Sequence, residues 1–267
     1  MSQIDKSIRN ADVIPEIDTA VFAENPESRF ALGMMAIGDE PLLGLDGVYG
    51  RAFDLRKKVY VDQTGQLTLD DVREDGTDRD DDDSRSVAFV GLENIPNMPT
   101  RIVACARLII KGFDGSAGSH RVLPVEDFCP DVFEAEPAPT NSVEVSRMIA
   151  RHDKAGIQNL LSRTMYMMLG SFVDTNRLGP TFAVVEDWYA RDLKGQMPMK
   201  EIAEPRYVPH YLDYNLPIAI DGPEFARMAR QSYPDLMGQF DGSQGKMVYF
   251  GKAQKPGPSS INNTPAA

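Results

Sequence analysis

The chain has 267 residues, of which 42% are hydrophobic, and its 28 Lys and Arg against 40 Asp and Glu give a formal net charge of −12. This acidic balance argues against binding to the nucleic-acid backbone or to an anionic membrane surface. The two cysteines, Cys105 and Cys129, have no metal-ligand spacing and predict neither a disulfide framework nor a metal site. The polar N-terminal decapeptide and the lack of about 18 consecutive apolar residues predict a cytoplasmic protein without a membrane span.

The length fits one large domain. Residues 1–45 show no sustained hydrophobic pattern, and we predict an irregular N-terminal extension with one short helix near "NPESRFALGMMAI". Residues 46–251 are predicted to form the main domain. The last stretch is small, polar and Pro-rich, which predicts a disordered tail over residues 252–267.

The first half of the main domain predicts one helix, a pair of strands and a second, short helix. Val48, Ala52, Leu55 and Val59 recur at helical spacing in "DGVYGRAFDLRKKVYVDQ". "SRSVAFVGLE" and "TRIVACARLIIKG" are typical of strands, and the Pro/Asn-rich turn between them predicts an antiparallel hairpin. "PVEDFCPDVF" predicts a short helix, with Pro124 in its first turn.

The second half alternates helix and strand. A strand is predicted in "NSVEVSRMIARHD", followed by a long helix over 156–179, a strand over 181–188, two short extended segments within 201–221, a helix over 222–237 and a strand over 246–251. The Met-rich stripe of the long helix is interpreted as core filling. Strands grouped early and alternating with helices later predict a mixed α/β or α+β sheet covered by helices.

Two charged residues, Glu144 and Arg147, lie inside the apolar strand "NSVEVSRMIARHD". Regular alternation would place Glu144, Ser146 and Met148 on one face of the sheet, and Arg147 and Ile149 on the other. An unpaired buried charge costs several kcal/mol, so both residues need partners or a water-filled cleft. On spacing alone, a pair of salt bridges at the sheet margin is the preferred interpretation.

Other charged or polar residues occur in comparable apolar settings. Arg107 lies within "VACARLII", and Arg56 and Tyr60 lie within the helical "LRKKVY"; each alone has an ordinary structural interpretation. The aspartates of the acidic segment 73–85 repel one another, which predicts a solvated loop. A carboxylate cluster that holds a cationic ligand is the functional alternative, and calcium is a remote one because the EF-hand spacing is missing.

Taken in order, these motifs resemble the acyl-homoserine-lactone synthases, a family with the GNAT acyltransferase fold. The resemblance covers roughly residues 50 to 190. It rests on "LRKKVY" in the first helix, the acidic loop, "CARLI" in a strand and "EVSRMIA" in the next strand. The sequence departs from the family at Gln66, where a tryptophan is usual, and at Tyr60, where a phenylalanine is usual. The chain is also longer than a typical member at both ends.

The resemblance implies a GNAT-like α/β (α+β) domain over residues 46–251. Its sheet would be mixed and mostly antiparallel, with helices on both sides. Two central strands, "VEVSRMIA" and "TFAVVE", would splay and leave a V-shaped cleft for an acyl thioester. The donor would be acyl-CoA or an acyl-carrier protein, and no metal is implied. The acceptor would be the amine of an amino acid or of an S-adenosylmethionine-like molecule.

The resemblance also implies site residues. Glu144 would act as the general base through a water molecule, and Arg147 would anchor the cleft. The acceptor would be bound by a set of polar residues on the helix, the loop and the two strands: Arg56, Tyr60, Asp78, Asp81, Arg107 and Ser146. Arg56 and Arg107 would either hold the acceptor's carboxylate or pair the aspartates. The donor would contact the end of the strand and the turn before the long helix: Ile149, Arg151, Lys154 and Gly156.

Three alternatives stay open at this point. Long-chain N-acyl amino acid synthases share the same core and acylate other amines, so the fold alone does not choose the acceptor. The loss of tryptophan at Gln66 also fits a non-catalytic ligand-binding protein on the same scaffold. Finally, "EVSR" would be a coincidence in an unrelated α/β protein.

Overall fold

The computed structural model describes residues 22, 25–95, 99–113, 122–208, 213–242 and 247–252. The predicted tail lies outside the described residues from position 253 onward, as does most of the segment that precedes residue 25.

Within these residues the strands join one sheet. Its members, in chain order, are β1 Ser28–Ile37, β2 Glu40–Pro41, β3 Ser86–Glu93, β4 Arg101–Ile110, β5 Val143–Ala150, β6 Thr181–Glu186, β7 Met199–Glu201, β8 Arg206–Val208, β9 Asp213–Ile220 and β10 Met247–Lys252. The spatial order is β10-β1-β3-β4-β5-β6-β9-β7, with β2 paired to β1 and β8 paired to β9. All pairs are antiparallel except β5 with β6. The predicted mixed, mostly antiparallel sheet and the β3–β4 hairpin are therefore confirmed.

Helices cover both faces of the sheet. They are α1 Asp46–Lys57, which continues as a π-helical turn over Lys58–Gln63, α2 Pro124–Phe128, α3 Pro130–Phe133, α4 Ala155–Thr175, α5 Asp187–Leu193, α6 Gly222–Ser232 and α7 Pro234–Gly242. The predicted helix over 222–237 is two helices, because Pro234 cannot continue the first one and begins the second.

The core has one cluster on the α4 side of the sheet and two on the opposite side. Leu161, Met165 and Met168 of α4 are fully buried against β3 and β4, so the methionines fill the core as predicted. On the opposite face, α1 packs over Cys105 and its neighbours. Helices α2 and α3 pack farther along that face, over Ile109 and the start of β6. A strip of sheet between these last two clusters carries polar side chains instead.

The helix predicted near "NPESRFALGMMAI" is wrong, because this segment forms β1 between β3 and β10. Phe30 and Leu32 face the α4 cluster, whereas Ala31 and Met35 face the α1 cluster. A strand buried on both faces is apolar throughout and shows no alternation, so its sequence pattern resembles that of a buried helix. The sheet therefore begins before residue 46.

Candidate active site in a split sheet

The sheet opens between its two parallel central strands. Strands β5 and β6 pair only from Val143 with Thr181 to Val145 with Ala183. Beyond these residues β5 continues to Ala150 on β4, while β6 continues to Glu186 on β9. The predicted splay is confirmed, and it leaves one backbone edge of residues 146–150 without a strand partner.

A β-bulge bends β5 where the gap begins. Ser146 lies opposite Arg107 and Ile149 lies opposite Cys105, so β5 holds one residue more than β4 between these pairs. Arg147 takes up the extra length with a positive φ of 52°. Such a bulge bends its strand and redirects a side chain. The predicted alternation is therefore wrong for Arg147, which turns toward Asp80, an aspartate that Arg107 also contacts.

The acidic loop folds back onto this strip of sheet. Arg56 Nε lies 3.1 Å from Asp78 Oδ2, and Arg56 Nη1 lies 2.7 Å from Asp83 Oδ1. Arg107 lies 3.0 Å from Asp83 and also donates to both carboxylate oxygens of Asp80. Asp78 and Asp83 are 1% and 4% exposed, so the prediction of a solvated loop is wrong for these two residues.

Arg147 completes the cluster with longer contacts. Its Nη2 lies 3.5 Å from Asp78 Oδ1 and 3.4 Å from Asp80 Oδ2, and its side chain is 17% exposed, more than that of Arg56 or Arg107. The Ser146 hydroxyl lies 3.5 Å from Arg107 Nη2. We call these residues the arginine–aspartate cluster: Arg56, Asp78, Asp80, Asp83, Arg107 and Arg147.

Asp80 and Arg107 stabilise each other's charged forms. Burial alone would raise the pKa of Asp80, but the charge and hydrogen bonds of Arg107, with help from Arg147, lower it below the ordinary aspartate value. Burial opposes the charge of Arg107, yet Asp80 and Asp83 raise its pKa. Each buried charge is thus compensated, as the cost of isolated buried charge requires. Asp81 lies outside the cluster with an exposed side chain.

Glu144 lies on the same face of β5 but points away from the cluster. It is 3% exposed, and its Oε2 accepts a hydrogen bond from the backbone N–H of Val125, 2.7 Å away, in the first turn of α2. Burial raises its pKa to about 8, although the Val125 N–H and the charge of Arg107 act in the opposite direction. The carboxyl group is therefore largely protonated at neutral pH.

Tyr60 connects the π-helical turn to the gap. Its hydroxyl donates to the backbone carbonyl of Met148 over 3.2 Å, and its ring lies 5.2 Å from the guanidinium carbon of Arg147. Burial raises the pKa of the Tyr60 phenol. Tyr60 thereby closes the α1 side of the gap next to the bulge.

Two further polar pairs were not predicted from the sequence. Gln66 Nε2 donates to Glu186 Oε1 and so links the loop after the π-helical turn to the end of β6. Tyr166 of α4 and Tyr189 of α5 share a hydrogen bond of 3.3 Å between their hydroxyls. The one available signal for Glu186 was a carboxylate at the end of the apolar run "TFAVV".

The turn before α4 is held in place by a hydrogen bond from its backbone to His152. Lys154 and Gly156 are exposed and Arg151 is half-buried, whereas the side chain of Ile149 packs in the α1 cluster and leaves only its backbone for a ligand. His152 Nδ1 accepts a hydrogen bond of 2.9 Å from the backbone N–H of Lys154, the N-cap residue of α4.

The other ring nitrogen of His152 reaches a buried charge cluster. His152 Nε2 lies 3.3 Å from Glu93, which is 0% exposed and also accepts from Arg29 and Arg101. Because Nδ1 accepts, the neutral ring carries its proton on Nε2, toward Glu93. The turn is thus fixed by a histidine that is held on both sides.

In the described part of the chain, no helix is both long and apolar enough to cross a bilayer. Among the same residues, no group of three or more His, Cys, Asp or Glu side chains is arranged to hold a metal ion. The acidic loop is neutralised by arginines instead.

Several solved structures share this architecture. BjaI, a CoA-dependent acyl-homoserine lactone synthase solved with SAM and isopentyl-CoA, matches with a TM-score of 0.59 at 17% identity, over 75% of this chain and 89% of its own. MesI, also described as a CoA-dependent acyl-homoserine lactone synthase, matches with a TM-score of 0.53 at 18% identity, over 71% of this chain and 89% of its own.

FeeM, an N-acyl amino acid synthase from uncultured soil microbes, matches with a TM-score of 0.51 at 10% identity, over 75% of this chain and 99% of its own. No protein-family model matches the chain, and no curated protein matches it either. At these identities the likeness establishes the fold. The chain therefore has the fold of the acyl-homoserine lactone synthases, as its motifs predict.

Proposed function

We propose that the protein is an acyltransferase that moves an acyl group from an acyl thioester to the amine of an amino-acid-like acceptor, as an autoinducer synthase does. The observation that carries this proposal is the split between β5 and β6, with an unpaired backbone edge beside a cluster of buried charges. An unpaired strand edge binds an extended, amide-containing chain through its N–H and C=O groups. The pantetheine arm of a thioester donor has that chemistry.

Acyl-CoA is the donor that we favour over an acyl-carrier protein. The exposed Lys154 at the N-cap of α4, with the helix N-terminus behind it, suits the phosphates of coenzyme A. A net charge of −12 disfavours an acidic carrier protein. BjaI and MesI, which share the fold, are described as CoA-dependent.

In the proposed reaction, the acceptor nitrogen attacks the thioester carbonyl, the carbon–sulfur bond breaks, and the thiol leaves. An α-amino group with a pKa of about 7.7–8.0 must lose a proton on the way. Glu144, with a pKa of about 8, would accept that proton in its ionised form, the minority form at neutral pH, through a water molecule at Oε1, which accepts no hydrogen bond from the described residues.

The arginine–aspartate cluster would hold the floor of the site rigid. The shortest ion-pair contact of Arg147 with a described residue, 3.4 Å, is longer than the shortest contact of Arg56 or Arg107, and its side chain is the most exposed of the three, so it is the candidate to contact the acceptor's carboxylate. Arg56 and Arg107 form close ion pairs with Asp78, Asp80 and Asp83 and would act by positioning.

The test is release of free thiol from short- and long-chain acyl-CoA across a panel of amino acids, amino-acid esters and SAM. We expect turnover with at least one amine and a loss of about 100-fold or more in kcat for Glu144→Gln, the range of general base catalysis. Glu126→Gln is the control at the same helix terminus, because Glu126 is 5% exposed and accepts from the Leu123 N–H; since Glu126 also pairs with Lys111, thermal unfolding checks that the variant is folded. A wild-type protein inactive on every pair would refute the proposal, and an active Glu144→Gln would refute the role of Glu144.

A long-chain N-acyl amino acid synthase is the second candidate. Gln66 at the position of the usual tryptophan and the structural likeness to FeeM favour it. Mass spectrometry of the product separates the two candidates, since one yields an acylated lactone and the other a linear N-acyl amino acid.

A further inference from the structure

Most carboxyl groups around the gap already form ion pairs or hydrogen bonds within the protein. Asp78, Asp80 and Asp83 are paired with arginines, and Glu144 is buried, largely protonated and bonded to α2. These groups cannot offer a free negative charge to a positively charged acceptor. Among the described residues at the gap, Glu186 is a carboxylate without such an ion pair.

Glu186 lies where the gap is widest. It is the last residue of β6, three positions beyond Ala183, the last residue that pairs with β5. Phe182 and Val184 pack with α2 and α3, so strand alternation places Glu186 on the face that carries the arginine–aspartate cluster. Its side chain is half-buried rather than free in solvent.

The carboxylate of Glu186 is oriented but not neutralised. Gln66 donates one hydrogen bond to Oε1, and among the described residues no lysine, arginine or histidine lies within ion-pair distance of either oxygen. Burial is the main reason that the pKa values of the Tyr60, Tyr166 and Tyr189 phenols are raised, and the negative charge of Glu186 adds a smaller contribution to each, so three aromatic side chains lie within its field. A half-buried carboxylate among aromatic rings is a favourable site for an ammonium group.

We propose that Glu186, oriented by Gln66, binds the ammonium group of the acceptor. It would thereby select acceptors whose positive charge lies on the attacking nitrogen or next to it. This inference rests on the proposed acyltransferase function and names its acceptor-binding carboxylate. Gln66 has a direct role in it, because its Nε2 donates the hydrogen bond that orients the carboxylate, whereas the donor of a tryptophan would be an indole N–H on a larger, rigid ring.

The experiment measures the steady-state kinetics of Glu186→Gln with the acceptor found by the thiol-release panel. Loss of one charge-assisted hydrogen bond is expected to raise the KM for the acceptor about 10- to 100-fold. The KM for acyl-CoA should stay unchanged, because the donor lies along the edge of β5. Glu186→Asp keeps the charge and should recover part of the loss, whereas Gln66→Leu should give a smaller increase by releasing the carboxylate.

Asp192→Asn is the matched control, since it removes one exposed negative charge from the helix that follows β6 and should leave both KM values unchanged. Equal increases for Glu186→Gln and Asp192→Asn would overturn the inference in favour of a bulk charge effect. An unchanged acceptor KM in Glu186→Gln would overturn it while leaving the acyltransferase function in place. A wild-type protein without turnover on any amine would overturn both.

Discussion

The buried arginine–aspartate cluster predicts a large stability difference between two neighbouring aspartates. Asp83 is 4% exposed, bonds both nitrogens at the end of Arg56, lies 3.0 Å from Arg107 and accepts from the backbone N–H of Asp80 at 2.9 Å. Removing one partner of a buried ion pair leaves an uncompensated charge and costs about 3–5 kcal/mol. Asp83→Asn should therefore lower the free energy of unfolding by that amount, a large share of the roughly 5–15 kcal/mol of a typical domain.

The assay is urea unfolding followed by fluorescence, with a thermal scan as a second readout. A loss of about 3–5 kcal/mol corresponds to a fall in Tm of roughly 6–20 °C for a chain near this size. Asp81→Asn is the control: it makes the same change in charge two residues away at an exposed side chain, and should stay within about 0.5 kcal/mol of wild type. If the two variants unfold at the same urea concentration, the cluster is not a buried, mutually compensated set of charges.

Three other predictions concern Glu144, His152 and Gly170. The folded-state pKa of Glu144, about 8, exceeds the ordinary glutamate value of 4.5, so the stability from this group is complete below the lower value and lost as the pH rises through the higher one. Between pH 5 and pH 8, urea unfolding should show wild type losing about 3–4 kcal/mol relative to Glu144→Gln; parallel curves would contradict this. His152→Phe removes the acceptor of the Lys154 N–H and should raise the KM for acyl-CoA more than that for the amine, and an unchanged donor KM would argue against the role of the turn. Gly170→Ala would place a Cβ 2.6 Å from the Phe225 ring and should cost about 1–3 kcal/mol in thermal unfolding, whereas a neutral result would mean that α6 shifts freely.

Much of the fold could be predicted from local patterns. The helices α1 and α4 have apolar residues at helical spacing, and the β3–β4 hairpin is marked by two β-branched runs around a Pro/Asn turn. The prediction failed at β1 because burial on both faces removes the alternation that identifies a strand. It also missed the break before Pro234, although proline at the start of a helix is a known signal.

The site residues were predictable as a set but not as an arrangement. Ordered motifs named Arg56, Asp78, Arg107 and Arg147, and the structure brings these four together. The alternation rule placed Arg147 on the wrong face of the sheet, because the rule assumes a regular strand and a bulge adds one residue to β5. Which aspartates of the loop turn inward also depends on long-range pairing, so Asp81 was chosen where Asp80 and Asp83 make the contacts.

The contact between Gln66 and Glu186 could not be predicted from the sequence. They are 120 positions apart and lie on different elements, and each has an ordinary surface interpretation on its own. Only the divergence of β5 from β6 places the end of β6 opposite the loop after α1. The residues that define the fold follow hydrophobic patterns that can be read from the sequence. The residues proposed to determine acceptor specificity do not follow such a pattern. A substitution at Gln66 is therefore expected to change which amine is acylated rather than whether the sheet folds.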